Sequence, residues 1–299
     1  MISLEFPTPK LPIQPIRAEW LSKREVQLSV LRADLADPLL SGNKFFKLKY
    51  NLQDAAQQGH THLLSFGGAW SNHLHALAAA GQRFDFATTG IIRGDAGATS
   101  NACLDDLVAM GMQLRFVSRA EYQQKHTAEF LAQLRQELGD FYLIPEGGAN
   151  LAGIRGCQEL LPLNIEADFT HVVLACGTGT TLAGILTSST VPVIGIQVLK
   201  GVDYLRKEVI NILNHHGLSA TAPWSVLDDF HGGGYAKVSD ELLSFMQKFT
   251  AATDVPLEPV YSGKMFMALS KLIPEGYFPT NSRILAIHGG GLQGLRGFL

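Results

Sequence analysis

Charged residues are scarce in this chain: they make up 17% of its 299 positions, against about 25% in an average soluble protein. The formal net charge is −3 and no run of lysine and arginine occurs, so the electrostatic footprint of a nucleic-acid binder or a polybasic membrane anchor is missing. Cysteine is scarcer still. Cys103, Cys157 and Cys176 form an odd, scattered set that fits neither a disulfide framework nor zinc-ligand spacing, and a reducing, cytoplasmic setting suits them best. No apolar stretch approaches the roughly 20 residues that cross a bilayer, because glycine, serine or histidine interrupts each one. The segment from Met1 to Arg17 carries prolines at 7, 9, 12 and 15 and no apolar core behind a basic start, which describes an extended arm and not a signal peptide. These absences leave a soluble protein whose expected partner is a small molecule.

What the sequence has in excess is glycine, 30 residues where an average chain of this length has about 7%. The length allows two domains or one large one. From Val26 onward, short apolar runs alternate with helix-length amphipathic segments, the βαβ signature of a parallel sheet covered by helices. The class is α/β. Strands are expected at Val26 to Leu31, Thr61 to Phe66, Ala87 to Ile92, Gln113 to Val117, Phe141 to Ile144, Thr170 to Ala175, Val193 to Val198 and Arg283 to Ile287. Helices are clearest at Phe45 to Gln57, Ser71 to Gly81, Ala120 to Leu138, Gly153 to Leu161 and Thr180 to Leu186. No repeat and no linker rich in proline, glycine and serine divides the chain, so a second domain has to be an insertion.

Twelve glycines fall into five clusters: Gly67-Gly68, Gly147-Gly148, Gly177 with Gly179, Gly232 to Gly234, and Gly289 to Gly291. At least four follow an expected strand, and ligands of open parallel sheets bind at the carboxyl ends of strands, so the clusters are expected to converge on one site. The run from Val172 to Gly184 is an apolar strand, a Gly/Thr loop and a helix start. Free amides, the helix dipole and the hydroxyls of Thr178, Thr180 and Thr181 suit a phosphate dianion. It is neither a Walker loop nor a dinucleotide fingerprint, and taken alone it reads equally well as a plain turn.

A second segment, Ser41-Gly42-Asn43-Lys44-Phe45-Phe46-Lys47, opens a helix. The dipole and Lys47 one turn away both disfavour the charged form of Lys44 and help supply a nucleophilic amine. A lowered lysine beside a phosphate cradle suggests a Schiff base to pyridoxal 5'-phosphate. In a third segment, Gly67 to Gly81, Ser71 and Asn72 either cap a helix or serve the site. His73 and His75 do not share a helix face and make a poor metal pair, so no metal is expected.

Together these segments resemble the 1-aminocyclopropane-1-carboxylate deaminase/D-cysteine desulfhydrase family, a branch of the tryptophan-synthase-β-like pyridoxal-phosphate enzymes. The likeness runs through Gly42 to Lys44, Gly67 to Asn72, Pro145 to Gly148, Gly177 to Thr181, the glycines before Tyr235, Pro259 to Lys264 and His288 to Gly291. It implies two open, mostly parallel sheets covered by helices, with a large cofactor domain of residues 1–49 and 152–299 and a small α/β domain inserted at 50–151. It also implies a small amino-acid substrate and a homodimer.

Carried over by position, Lys44 resembles the Schiff-base lysine and Gly177, Thr178, Gly179, Thr180 and Thr181 the phosphate loop. Asn72 resembles the partner of the pyridine 3′-oxygen, Ser71 the substrate-contacting or proton-handling hydroxyl, and Tyr235 and Tyr261 the active-site tyrosines. Ser262 stands where the residue facing the pyridine nitrogen is expected and where the deaminases carry Glu. A hydroxyl there makes a shallower electron sink, which favours β-elimination from D-cysteine or a related amino acid to pyruvate, ammonia and sulfide. Opening of the cyclopropane ring to 2-oxobutyrate is the alternative. In other classes, a nucleotide-dependent oxidoreductase leaves Asn43-Lys44 and the terminal glycines unexplained, and a silent binding protein leaves Lys44 unexplained. The chain departs from the family pattern at Phe45-Phe46-Lys47, at Leu31-Arg32-Ala33-Asp34 and at Gly289, where desulfhydrases typically show Thr and deaminases Leu. Gly289 is expected either to enlarge the pocket or to loosen a turn.

Overall fold

All eight runs expected as strands take their places in two sheets, each within a residue or two of its expected ends. The structure is a computed structural model that describes residues 4–22, 24–94, 101–161 and 164–298; the first three residues of the expected arm lie outside it. The strands are β1 (Ile13–Pro15), β2 (Gln27–Leu31), β3 (His62–Gly67), β4 (Ala87–Arg93), β5 (Gln113–Val117), β6 (Tyr142–Leu143), β7 (His171–Cys176), β8 (Val193–Gln197), β9 (Trp224–Leu227) and β10 (Arg283–Ile287). The helices are α1 (Asn43–Gln57), α2 (Asn72–Phe84), α3 (Ala102–Ala109), α4 (Arg119–Gln123), α5 (Ala128–Leu138), α6 (Leu151–Gln158), α7 (Ile165–Asp168), α8 (Thr180–Leu186), α9 (Tyr204–His215), α10 (Asp240–Thr253) and α11 (Ser262–Leu272).

Two strands were not expected. β1 lies in the proline-rich arm and pairs antiparallel with β2; as an edge strand it tolerates Pro15, whose missing N–H breaks no inner ladder. β9 is a four-residue edge strand beside β8, too short to show a period. The single helix expected over Ala120 to Leu138 is divided. α4 ends at Gln123, and the Thr127 hydroxyl then accepts the Phe130 N–H at 3.3 Å and caps a new helix, a local bond that competes with helix continuation.

One sheet has the order β1-β2-β10-β7-β8-β9 and the other β5-β4-β3-β6. Apart from the β1–β2 pair, every pairing is parallel. Each sheet grows outward in one direction and then returns, so that β7 and β10 flank one topological switch point and β3 and β6 the other. Such points open a crevice at the carboxyl ends of the strands. Four of the five glycine clusters follow these four strands.

Helices α1, α6 and α8 stack at unusually close range. A Cβ on Gly156 of α6 would fall 1.8 Å from the Phe46 carbonyl oxygen of α1, and one on Gly184 of α8 would fall 2.5 Å from the Cys157 Cβ of α6. Leu48, Leu52, Cys157, Leu182 and Ile185 are buried around these contacts in one core cluster. At Gly156 the helix-propensity gain of alanine, about 1 kcal/mol, opposes an overpacking cost of about 3 kcal/mol. Gly156→Ala is therefore expected to lose about 2 kcal/mol of stability, read as a lower denaturant midpoint at unchanged slope.

Candidate active site

The carboxyl ends of β3, β4, β7 and β10 and the loop after β6 surround a cleft of about 700 Å³. The N-terminus of α1 forms part of its wall. Gly42, at φ +67, precedes α1 so closely against the terminal glycines that a Cβ would fall 1.9 Å from the Gly289 carbonyl oxygen, and the Asn43 N–H donates to that oxygen at 3.2 Å. This contact ties the start of α1 to the end of β10. Asn43 then works in two directions. Its Oδ1 accepts from Lys44 Nζ at 2.8 Å, and its Nδ2 donates to Thr181 Oγ1 at 2.9 Å.

Removal from bulk water, and secondarily the charge of Lys47, lower the Lys44 amine to about 7. Near neutral pH a substantial fraction of it is therefore the free base. Lys47 is buried, donates to the Gly147 carbonyl at 2.9 Å and is itself lowered by burial. His73, one turn into α2, is buried beside them. Its Nε2 bonds with Ser65 Oγ at 3.0 Å, while its Nδ1 has no partner among the described residues. Burial, then Lys44 and Lys47, push its pKa well down, so the ring is neutral. His75 turns elsewhere, to Asp106 at 3.1 Å.

Facing α1, the β7 loop enters α8 through Gly179 at φ +83, with no side-chain cap. The first-turn amides of a helix have no intrahelical acceptor, so this end is open to an anion. Thr178 and Thr180 face one another, Oγ1 to Oγ1 at 3.3 Å. The Tyr261 ring lies against the loop, 3.2 Å from where a Gly177 Cβ would be, and the Tyr235 ring meets it edge-on at 6.5 Å. Across the cleft, Ser71 caps α2 by accepting the Leu74 N–H at 3.2 Å, and Asn72 Oδ1 accepts from Gln293 Nε2 at 2.8 Å. Gly291 makes room for that amide, since a Cβ would lie 2.5 Å from Asn72 Nδ2.

Of the residues expected at the site, Lys44, Ser71, Asn72, Gly177, Thr178, Gly179, Thr181, Tyr235 and Tyr261 line the cleft, whereas Thr180 and Ser262 do not. Thr180 is buried behind the loop. Ser262 opens α11, where its Oγ accepts the Glu258 N–H at 2.9 Å and lies 3.2 Å from Glu258 Oε1. Glu146 lines the opposite side of the cleft, and on this side the carboxylate in the lining is Glu258. Burial raises its pKa against the pull of the Val260, Tyr261 and Ser262 amides, which donate to it at 2.8, 2.8 and 2.6 Å. Behind it, His288 donates from Nε2 to the Pro256 carbonyl at 2.7 Å and accepts the Gly290 N–H at Nδ1 at 3.2 Å. This one tautomer pins the terminal glycine run to the segment that carries Glu258.

Sequence reasoning missed Asn43, His73 and Glu258 as parts of the site. Asn43 stood inside the Gly42 to Lys44 segment, and Glu258 lies four residues before Ser262, a spacing that lets an acid reach the open amides of a helix start. For His73 the sequence held no signal, because its burial comes from packing between α1 and the β6 loop. A recessed amine that is partly free base, an open anion cradle across from it and a buried cation at Lys47 together fit a phosphorylated aldehyde.

Known proteins are similar to this chain over nearly its whole length. The family model for pyridoxal-phosphate dependent enzymes matches residues 3–290. A putative 1-aminocyclopropane-1-carboxylate deaminase of Thermotoga maritima is 30% identical, over 95% of this chain and 96% of its own. A bifunctional D-cysteine desulfhydrase/1-aminocyclopropane-1-carboxylate deaminase, mitochondrial, of Arabidopsis thaliana is 31% identical over 90% of this chain and 73% of its own. The solved structure of an ACC deaminase homologue superimposes with a TM-score of 0.80 at 26% identity, covering 96% of this chain and 93% of that one. With its two parallel sheets and its cleft of glycine loops around Lys44, the chain belongs to the pyridoxal-phosphate dependent enzymes, in the group of 1-aminocyclopropane-1-carboxylate deaminases and D-cysteine desulfhydrases.

Proposed function

We propose that the protein catalyses β-elimination from a small amino acid, D-cysteine or a related β-substituted amino acid, giving pyruvate, ammonia and sulfide. The observation that carries this reading is the Lys44 amine, lowered to about 7 and held by Asn43, which can take and return a proton at neutral pH. Lys44 is the residue that would hold the cofactor aldehyde. The Gly177 to Thr181 loop and the charge of Lys47 would hold its phosphate, Asn72 its 3′-oxygen, and Tyr261 would lie near the ring. Bound pyridoxal phosphate supplies an electron sink for the pair released at the substrate Cα. The Cα proton goes to Lys44 Nζ, the Cβ–S bond breaks with its electron pair on sulfur, and the released enamine takes up water to give pyruvate and ammonia. Ser71, whose oxygen already accepts a backbone N–H, keeps its hydroxyl proton for the substrate or the leaving group.

The choice of β-elimination over ring opening follows the family pattern, in which the deaminases carry Glu at the position of Ser262, and not the contacts of Ser262, which run to Glu258. One observation favours the second reading, 1-aminocyclopropane-1-carboxylate deaminase: the Glu258 carboxylate lines the cleft 3.2 Å from Ser262 Oγ. Three amide donors already occupy that carboxylate, which favours its role as the cap of α11 and keeps β-elimination first. The proposal includes a cofactor domain of residues 1–49 and 152–299 with 50–151 inserted, supported by a four-stranded sheet that lies within 62–143. It also includes a homodimer, by resemblance, and a cytoplasmic setting, supported by three buried free cysteines. Among the described residues no helix is long and apolar enough to cross a membrane.

Purified holoprotein is expected to be yellow, with borohydride fixing the chromophore on Lys44 and Lys44→Ala losing that linkage; colourless protein that takes up no pyridoxal phosphate would overturn the assignment of Lys44. In the substrate assay, sulfide and pyruvate are expected from cysteine, and 2-oxobutyrate from aminocyclopropane carboxylate alone would establish the second reading. Lys44 also sets a pH dependence on the apoprotein. Below about 7 both folded and unfolded chains carry its proton, and between about 7 and 10.5 only the unfolded chain does, so its contribution to stability rises with pH across that window. The stability advantage of apo Lys44→Met over wild type is expected to shrink by about 1–2 kcal/mol between pH 7 and pH 9 in denaturant titrations.

A further inference from the structure

Beside the cleft, and sharing Arg93 and Glu146 with its wall, lies a second recess of about 420 Å³ lined also by Arg119, Tyr122, Gln123 and Lys125. Among the described residues its lining holds three cations and one carboxylate, that of Glu146. Lys125 pairs with that carboxylate at 3.5 Å, which leaves a local surplus of positive charge in a chain whose formal net charge is −3. The Tyr122 ring organises the site. The Arg93 guanidinium lies 5.6 Å and the Lys125 Nζ 4.9 Å from its centroid, both within cation–π range. Tyr122 is 3% exposed, and burial together with the neighbouring Glu146 carboxylate raises its phenol well above the usual range. Arg93 ends β4, and its Nη2 lies 3.8 Å from where a Gly68 Cβ would be, so the guanidinium flanks the loop that carries Ser71 and Asn72.

We infer that this basic recess binds the anionic end of the substrate's β-substituent, so that the preferred substrate is a β-substituted amino acid whose leaving group carries a carboxylate, sulfonate or phosphate. The inference rests on the β-elimination reading. Arginine presents a planar fork of donors to such a group, and Lys125 adds charge. The amino-acid end reaches Lys44 and Ser71 in the main cleft while the far end of the substituent crosses past Arg93. Elimination itself is unchanged: the Cα proton leaves, the Cβ–heteroatom bond breaks with its pair on the leaving group, and water converts the enamine to pyruvate and ammonia.

The test uses two substituents of equal size on the holoenzyme, S-carboxymethylcysteine and S-carbamoylmethylcysteine, each as D and L forms, with β-chloroalanine as a small neutral control. Wild type is expected to show kcat/KM about tenfold or more in favour of the carboxylate, carried mainly by KM and weakened by added salt. Arg93→Gln and, separately, the exposed Arg119→Gln are expected to bring that ratio towards one. Equal kcat/KM for the two substituents in wild type, or a ratio that neither variant moves, would overturn the inference and leave β-elimination standing if β-chloroalanine is turned over. If neither enantiomer of β-chloroalanine yields pyruvate from holoenzyme, the β-elimination reading fails and this inference fails with it.

Discussion

The active site depends on how closely three helices can approach one another. α6 meets the backbone of α1 at Gly156, and α8 meets α6 at Gly184, at distances where any Cβ would overlap a neighbouring atom. That packing leaves little freedom for the two helix starts that face each other across the cleft, the one carrying Lys44 and the one opening at Gly179. Asn43 closes the remaining gap with hydrogen bonds to both sides. Preorganised positions of this kind reduce the rearrangement needed when a ligand arrives, and here they come from backbone contact between helices and not from long side chains.

The electrostatics follow from the same enclosure. Lys44, Lys47 and His73 are three basic side chains drawn together in a chain with few charges, and burial pushes all three downward. An arriving phosphate dianion would reverse much of that effect for Lys47, since a nearby opposite charge favours the ammonium. Lys44 sits one residue behind Asn43, whose amide oxygen accepts its proton without adding charge. The amine thus meets a neutral partner, and under the proposed function the phosphate would meet a charged one.

Much of this was legible in the sequence wherever the signal was local. The apolar runs at Val172 to Leu174 and Ile284 to Ile287 are bounded by polar residues and glycine, and they became adjacent central strands. Four glycine clusters followed strands and marked the two switch points. Lys44 could be singled out because a helix start, a second lysine and a distant Gly/Thr loop agreed. The edge strands Ile13–Pro15 and Trp224–Leu227 were too short or too rich in proline to display a period. Ser262 shows the limit of reading by position. Its place along the chain was correct for a helix start beside Tyr261, but whether its hydroxyl turns to the cleft or to Glu258 depends on a buried acid that no short motif marks. The recess beside Arg93 was equally hidden, because Arg93, Arg119 and Lys125 come from separate elements.

Gly289 raises a different matter from the other terminal glycines. Gly290 and Gly291 have φ of +78 and +89 and are closely hemmed in, whereas Gly289 lies outside the left-handed region. The nearest atom to a Cβ there is Asn43 Nδ2 at 3.7 Å, an ordinary van der Waals distance. A small side chain is therefore compatible with the backbone at this one point of the run and would project towards the amide that joins Lys44 to Thr181. The wall of the cleft is adjustable there by single substitutions, and divergence in substrate size among descendants of one ancestral site has a route that leaves the scaffold intact.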